Sequence, residues 1–247
     1  KINEYDTLSS EDRWNEYYDV ILANPPFFSP KGGIMPHNRF GVKSTKAEIL
    51  FIDYINEHLK PNGRAGIIVP EGVIFQTGTS YKQLRKRLIE TSLIGVISLP
   101  SGIFNPYSGV KTSILILDKS FNKKTDKIFF YKINNDGYSL GAQRNKQDSN
   151  DIPDCISLFQ NFLQQKTGKD TINKKKINSE NDFTYTYDKI VLKQTNNSKY
   201  EFKNLSEIAD FVRGVTFSKN DRLDKETDNS VKIATTKASQ DDGIKEE

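Results

Sequence analysis

The apolar residues of the chain form short continuous runs that alternate with segments of helical spacing. Runs with the length and composition of strands are predicted at 18–23, 64–69, 93–99, 112–117 and 127–133. Apolar residues three and four positions apart predict a helix over 47–59, and a second helix is predicted over 80–90. The order strand, helix, strand, helix, strand favours an α/β domain with parallel strand pairs.

Both helices are preceded by the spacing of a capping box. Thr45 with Glu48, and Ser80 with Gln83, place an acid or an amide three residues after a hydroxyl. No segment of helical length separates the fourth predicted strand from the fifth, so at least one strand pair is expected to be antiparallel. The expected fold class is therefore α/β with a mixed sheet.

The pattern changes after about residue 143. The stretch 167–181 is dense in Lys, Asn and Ser, which is typical of a linker. Four further elements are predicted around it: a helix at 156–165, an extended segment at 183–187, a short helix from Asn204 to Gly214 and a strand at 231–234.

The charge balance is mildly basic. The 247 residues include 36 basic and 32 acidic ones, and this net charge of +4 permits a nucleic-acid partner without requiring one. The basic run that contains Lys82, Arg85, Lys86 and Arg87 is predicted to be the solvated face of the second helix. A chain of this length predicts one domain with an appended piece.

Cysteine and histidine are scarce. Cys155 is the only cysteine, so there is no disulfide framework, and neither His37 nor His58 has metal-ligand spacing to the other or to Cys155. No metal site is therefore expected. No apolar run has the length of a membrane span, and no signal-peptide pattern opens the chain. No membrane partner is therefore expected, and the expected location is cytoplasmic and reducing.

The stretch Asn24-Pro25-Pro26-Phe27 ends the first predicted strand. Ligands of open α/β sheets bind beyond the carboxyl ends of the strands. Pro25 keeps Asn24 out of the helical region, and two prolines offer carbonyls without competing N–H donors. An amide oxygen, a rigid carbonyl and the Phe27 ring together suit a planar amine, although an ordinary turn with core aromatics fits these four residues equally well.

Asn24-Pro25-Pro26-Phe27 resembles the catalytic motif of amino-methyltransferases that use S-adenosylmethionine. The similarity extends over roughly residues 15 to 135 to one branch of them, the modification subunits of type I restriction systems and their single-chain relatives. Three further stretches carry it: 47–51 leading to 59–75, then 99–104, then 106–112. The resemblance implies the C-terminal half of a Rossmann-like, S-adenosylmethionine-dependent methyltransferase fold.

The same resemblance implies methyl transfer to N6 of an adenine flipped out of double-stranded DNA, in a prokaryotic restriction-modification system. Asn24 and the Pro25 carbonyl would accept hydrogen bonds from the amine, and Phe27 would stack on the base. Further candidates are base-side residues in the loop before the fourth strand and a ring near the cofactor's adenine: Phe104, Tyr107, Lys111 and Thr112, and Phe51. For the three rings among them, core packing is an equally good explanation.

The chain departs from the family pattern in its cofactor motifs. A glycine-rich loop and an acidic residue precede the Asn-Pro-Pro motif in this family, whereas the 23 residues before Asn24 contain no glycine. The chain by itself is therefore expected to bind S-adenosylmethionine weakly and to be inactive. The resemblance also implies that the strand at 18–23 lacks its neighbours on one side, so its edge is expected to be open. We therefore expect the chain to self-associate or to retain a chain that carries the missing half.

The last residues resemble the opening of a specificity-subunit target-recognition domain, at 205–217 and 232–244. The expected organisation is a catalytic half over 1–165, a linker or extended segment over 166–200, and a partial α+β target-recognition segment over 201–247. Specificity or restriction subunits are then candidate partners. Two alternatives stay open: a methyltransferase that acts on glutamine or RNA, and a non-catalytic piece that only contacts DNA or has a structural role.

Overall fold

The computed structural model describes residues 7–9, 13–27, 33–166, 168, 170–179, 183–186, 203–204, 207, 209, 239–240 and 243–244. The chain divides into two compact units, Lys1–Asn197 and Ser198–Glu247. No helix among the described residues is long and apolar enough to cross a bilayer.

The first unit contains the sheet that positions the candidate site. Its described elements are β1 (Tyr18–Ala23), α1 (Ala47–His58), β2 (Leu59–Pro70), α2 (Gly72–Phe75), α3 (Thr79–Thr91), β3 (Leu93–Ser98), β4 (Thr112–Asp118), α4 (Lys119–Lys124), β5 (Lys127–Lys132), β6 (Asp136–Tyr138), β7 (Lys146–Asn150), α5 (Ile152–Leu163), β8 (Thr171–Asn173) and α6 (Lys174–Ser179). The five strands and the first two helices that the pattern predicts are all present. The third predicted helix begins earlier, at Ile152, because Pro153 suits the first turn of α5.

Six strands form a mixed sheet in the order β1-β2-β4-β3-β5-β8. The pairs β1–β2 and β3–β5 are parallel, whereas β4 runs antiparallel to β2 and β3, and β8 runs antiparallel to β5. The expected α/β class with a mixed sheet is confirmed. The carboxyl ends of β1, β2, β3 and β5 therefore meet the start of β4 at one edge, which we call the carboxyl edge.

Helices cover both faces of the sheet. On one face, buried Ile49 and Ile52 of α1 and Leu84 and Leu88 of α3 pack against the strands. These pairs are three and four residues apart, so each helix turns one apolar stripe to the sheet. On the other face, Cys155 and Phe162 of α5 are buried against β3 and β5. Burial of each large side chain contributes about 1.5–3 kcal/mol.

Strand β1 lies at the edge of the sheet. Its apolar run predicts a buried strand, but Val20 is 57% exposed and Leu22 is 83% exposed. The burial that the run alone predicts is therefore wrong, whereas the open edge expected from the missing neighbouring strands is present. In the described part of the chain, β1 has a strand neighbour on one side only.

Neither predicted capping box forms. The N-cap positions are Lys46 and Gly78, and neither makes a side-chain capping bond. Glu48 instead accepts a 2.7 Å hydrogen bond from the Tyr81 hydroxyl, which joins α1 to α3. Because the Glu48 carboxylate is bonded to Tyr81, it does not form the local hydrogen bond of a capping box.

Two stretches predicted to be solvated belong to the folded unit. In the linker-like stretch 167–181, β8 pairs with β5, and in the predicted extended segment 183–187 Tyr185 is fully buried. Arg85, predicted to lie on a solvated face, is also fully buried and donates to the carbonyls of Phe183, Val73 and Gln76 at 2.8 to 2.9 Å. The hydroxyl of Tyr185 donates in turn to the Arg85 carbonyl. Arg85 thus fastens the segment 183–186 to α3, a role that charge patterning alone does not reveal.

In the second unit, the described residues include one antiparallel pair, β9 (Ser239–Gln240) with β10 (Gly243–Ile244). The predicted strand at 231–234 lies outside the described residues, and so does most of the helix predicted from Asn204. There, the amide of Glu207 donates to the Asn204 carbonyl at 2.9 Å.

Candidate active site

The carboxyl edge brings together three stretches that are distant in sequence. Ala23 at the end of β1 lies beside Ile67 of β2, so Asn24 to Phe27 leave the sheet next to the end of β2. Pro70 at that end is paired with Thr112, the first residue of β4. The Asn-Pro-Pro-Phe motif, the turn after β2 and the loop before β4 therefore share one edge.

The motif is accessible at this edge. Asn24 is exposed and Phe27 is half-buried, and the four residues are neither helix nor strand. No described residue forms a hydrogen bond with the Asn24 side chain. Its amide oxygen is therefore available to an incoming donor, as the proposed grip on an amine requires.

The loop of residues 99–111, which we call the 99–111 loop, is built from consecutive turns. The amide of Asn105 donates to the Gly102 carbonyl at 3.0 Å, and the amide of Tyr107 donates to the Phe104 carbonyl at 2.9 Å. Gly102 has φ +81°, and a Cβ there would lie 2.8 Å from Asn105 Nδ2, so a side chain at this position is strained twice over. Phe104 is half-buried, whereas Tyr107 is 94% exposed at the tip.

A polar cluster joins the end of β2 to the start of β4. The Lys111 Nζ atom lies 2.8 Å from Glu71 Oε1, and Ser98 Oγ lies 3.5 Å from the same oxygen. The hydroxyls of Thr112 and Ser113 are buried and have no hydrogen-bond partner among the described residues. Glu71 is not among the site residues predicted from the sequence. The available signal was its position, a carboxylate directly after a strand that ends at the carboxyl edge.

Phe51 lies apart from this cluster of side chains. Its half-buried ring packs with an aromatic cluster that includes Trp14, Phe40 and Tyr54. A role for Phe51 beside the cofactor's adenine stays a prediction, because the contacts that the structure describes for it are those of a core residue.

The same aromatic cluster fixes the segment between the motif and α1. The Trp14 ring lies 4.1 Å from the His37 ring and 4.8 Å from the His58 ring, both edge to face. His58 also stacks on Tyr54 at 3.7 Å and lies with Nδ1 2.8 Å from the Tyr54 carbonyl. Burial lowers the pKa of His58, and the hydrogen bond to Tyr54 opposes that shift only in part.

Asp53 of α1 holds the next part of that segment. Its Oδ2 atom accepts hydrogen bonds from the amides of Gly41 and Val42 at 2.8 and 3.0 Å. Its Oδ1 atom lies 3.3 Å from Arg87 Nε on α3. Burial raises the pKa of Asp53, while Arg87 and the two amides oppose the rise. The guanidinium of Arg87 occupies the space that a Cβ at Gly41 would need, so a side chain there would have to displace Arg87 from Asp53.

The described glycines of β2 do not build a cofactor-binding loop. Gly63 and Gly66 lie within β2, with Gly66 paired to Leu22, so neither forms a phosphate- or ribose-binding turn. Fold and site together define an S-adenosylmethionine-dependent methyltransferase fold of the α/β, Rossmann-like class. The family model N-6 DNA Methylase matches residues 1–199, and the chain belongs to that family.

Relatives agree with this assignment. The type I restriction enzyme EcoEI methylase subunit of Escherichia coli is 35% identical over 120 residues, which are 48% of this chain and 24% of that protein. The EcoKI methylase subunit of E. coli K12 is 29% identical over 144 residues, 56% of this chain and 27% of that protein. The chain thus spans about a quarter of the length of these relatives.

Solved structures show the same fold. The methyltransferase subunit of a type I restriction-modification system from Streptococcus thermophilus has a TM-score of 0.56 at 27% identity, over 75% of this chain and 41% of that one. A chain from a structural study of complex assembly in a type I system has a TM-score of 0.55 at 25% identity, over 78% of this chain and 41% of that one.

Proposed function

We propose that the protein transfers a methyl group from S-adenosylmethionine to N6 of an adenine in double-stranded DNA, as the modification component of a restriction-modification system. The observation that carries the proposal is the accessible Asn24-Pro25-Pro26-Phe27 motif at the carboxyl end of β1, with the Asn24 amide unbonded in the described part of the chain. The relatives named above are methylase subunits of type I restriction enzymes, which favours DNA over other substrates.

The chain's own residues would hold the amine in the geometry of attack. The Asn24 side-chain oxygen and the Pro25 carbonyl accept its two N–H bonds, so the nitrogen lone pair turns away from conjugation with the ring. Phe27 stacks on one face of the flipped base, and the 99–111 loop supplies Phe104 and Tyr107 as candidates for the other face. S-adenosylmethionine would supply the methyl carbon, whose bond to sulfur breaks as the bond to nitrogen forms, leaving S-adenosylhomocysteine, and one amine proton would pass to solvent.

Lys111 and Thr112 complete the proposed base side of the site. Glu71 holds the ammonium of Lys111 at the end of β2, so this positive charge stays at the edge that the base approaches. Thr112 presents a buried hydroxyl that a polar atom of a ligand would satisfy. A water molecule in that position would serve the same end.

The proposed organisation follows the same reasoning. Residues 1–165 form most of the catalytic half, β8 and the segment 183–186 within the expected linker at 166–200 pack onto it, and residues 201–247 begin a target-recognition domain. The partners we propose are double-stranded DNA, a chain that carries the cofactor half, and specificity or restriction subunits. DNA is the substrate, so the proposed location is the cytoplasm of a prokaryotic cell.

The test uses the full-length protein with its specificity partner and genomic DNA from a host that lacks adenine methylation. After incubation with S-adenosylmethionine, N6-methyladenine is mapped by single-molecule sequencing. We expect methylation at one recurring site, and none with the Asn24→Ala variant. Parallel arms contain total RNA and a cell extract of proteins. Methyl groups found in RNA or on glutamine side chains, with no N6-methyladenine in DNA, would overturn the proposal in favour of one of the two alternative substrates.

A further inference from the structure

The hairpin β6–β7 rises from the carboxyl edge directly after β5. Asp136 is paired with Asn150 and Tyr138 with Lys146 across its two strands. The turn between them is closed by a 2.8 Å hydrogen bond from the Ser139 amide to the Asn145 carbonyl. Arg144 therefore extends from a hydrogen-bonded turn.

Arg144 reaches out of the hairpin to the 99–111 loop. Its Nη1 atom donates to the Ile103 carbonyl at 2.6 Å. Its Nη2 atom forms an ion pair with Asp136, which is only 9% exposed. The guanidinium also lies over the Tyr138 ring, 5.6 Å from its centre. One planar cation thus joins a loop carbonyl, a hairpin carboxylate and a hairpin ring, a geometry that a fork of N–H donors allows.

The bonded carbonyl stands at the base of the proposed target-base contacts. Ile103 is followed by Phe104, whose own carbonyl accepts the amides of Tyr107 and Ser108 at 2.9 and 3.0 Å. The hairpin turn also lies against the start of the loop, because a Cβ at Gly102 would be 3.7 Å from the Leu140 carbonyl. The hydrogen bond from Arg144 therefore fixes the point from which the exposed tip at Tyr107 extends.

We propose that Arg144 is a positioning residue for the 99–111 loop. Its hydrogen bond to the loop keeps Phe104 and Tyr107 in the position from which they contact a base held by Asn24. The inference rests on the proposed function. Arg144 acts through the Ile103 carbonyl and does not itself touch the base. Asp136 orients the guanidinium, so the pair works as one unit.

The main variant is Arg144→Gln, which removes both the charge and the fork. Arg144→Lys keeps the charge but replaces the fork with a single ammonium, so it restores only part of the effect. The matched control is Lys146→Gln, two residues along the same hairpin. It removes one positive charge from an exposed side chain at a position that belongs to β7 and lies outside the turn.

Two measurements use the full-length protein with its specificity partner. The first is fluorescence of 2-aminopurine at the target adenine, which reports unstacking of the base, beside duplex binding at fixed salt. The second is steady-state methyl transfer. For Arg144→Gln we expect duplex binding within about two-fold of wild type, because phosphate and groove contacts dominate affinity. We expect the 2-aminopurine signal and kcat each to fall about ten-fold, because the loop acts on the flipped base.

A third measurement needs no activity: amide hydrogen exchange of Tyr107 and Ser108. We expect both amides to exchange faster in Arg144→Gln and to be unchanged in Lys146→Gln. If wild type shows no adenine methylation but the exchange difference is present, the proposed function fails and the anchoring of the loop stands. If wild type methylates adenine and Arg144→Gln matches it in base flipping, kcat and exchange, the positioning role is overturned.

A loss of folding in Arg144→Gln is detected by its thermal unfolding midpoint. In that case Asp136→Asn tests the positioning role in its place. This variant keeps an acceptor oxygen in the hairpin but removes the charge that orients Arg144. The same fall in 2-aminopurine signal supports the proposal. Wild-type flipping and wild-type exchange in that variant overturn it.

Discussion

The Nζ atom of Lys111 lies 2.8 Å from Oε1 of Glu71, and the backbone repeats the connection with a 2.9 Å hydrogen bond from the Glu71 amide to the Lys111 carbonyl. The two residues are 40 positions apart in sequence, 71 against 111. This double link ties the turn after β2 to the end of the 99–111 loop. Among the described residues, this is the only ion pair at the carboxyl edge between β2 and β4. The backbone hydrogen bond beside it fixes its position relative to the motif.

The pair of Glu71 and Lys111 is expected to act as a unit in methyl transfer. In a double-mutant cycle with Glu71→Gln and Lys111→Met in the full-length protein, the two effects on kcat/KM should be non-additive by about 1–2 kcal/mol, because the residues are in contact. The initial rate at which labelled methyl groups enter duplex DNA gives kcat/KM for each variant. The control cycle uses Asp19 and Lys60, an exposed pair also 2.8 Å apart at the opposite edge. Additivity at Glu71 and Lys111 would contradict a shared role.

Asn24→Ala is expected to abolish methyl transfer and to leave duplex binding nearly intact. The side chain acts on the flipped base, where it aligns the amine, and interactions made in the transition state set the rate rather than the affinity. Loss of the acceptor also leaves an amine hydrogen unpaired, at a cost of about 1–3 kcal/mol. Tritium transfer beside a filter-binding curve at fixed salt measures both. Near-normal transfer by this variant would remove the proposed role of Asn24.

Phe27→Ala is expected to be milder on the rate and to weaken capture of the flipped base, since stacking contributes about 1–3 kcal/mol per base. The 2-aminopurine signal at the target adenine should fall while duplex affinity is kept. Phe27→Tyr serves as the control because it retains the ring. Equal signals in wild type and Phe27→Ala would place the ring in the core rather than on the base.

The stability of the first unit should fall on acidification through His58. Burial lowers its pKa below the ordinary value of 6.5, so the unfolded state takes up the proton more readily than the folded state. The contribution of His58 is therefore complete above its unfolded pKa and is lost as the pH falls toward its folded pKa. His37 and Arg39 both lie near the ring and disfavour the proton further.

Urea unfolding of wild type between about pH 7.5 and pH 5 measures this loss, in the range where histidine titrates. His58→Phe keeps a ring beside Tyr54 and Trp14 but does not titrate. The variant should be less stable than wild type at the higher pH, since the hydrogen bond to the Tyr54 carbonyl is lost, and its stability should change less with pH. A pH dependence identical in both proteins would assign the effect to other groups.

The exposed strand β1 is expected to make the 247-residue chain self-associate. Val20 and Leu22 present apolar surface beside an edge that has no strand neighbour among the described residues, and such an edge is a template for pairing. Sedimentation should give species heavier than 28.2 kDa, and Leu22→Lys should shift them toward the monomer. Met35→Lys, at an equally exposed position in a loop, is the control. A wild-type monomer over the tested concentrations would count against the prediction.

The local sequence pattern was enough to predict the elements of the first unit and the candidate motif. Strand and helix periodicities depend on neighbouring residues, so β3, β4 and β5 lie within one residue of their predicted ends. Asn24-Pro25-Pro26-Phe27 is recognisable for the same reason, since its chemistry lies in four consecutive residues. The presence of an antiparallel pair could also be anticipated, but its partners could not: β4 pairs with β2 and β3 rather than with β5, and the short helix α4 lies in the connection from β4 to β5.

Tertiary structure decided where those elements stand and which polar groups meet. The buried Arg85 donates to the Phe183 carbonyl, which is 98 positions away, and Glu48 accepts from Tyr81, which is 33 positions away. The same holds for Glu71 with Lys111, and for Arg144 with Ile103, 41 positions apart. A hydrogen bond or ion pair across such a separation has no periodic signature in the sequence. It exists only once hydrophobic burial has folded the sheet and brought the two ends together.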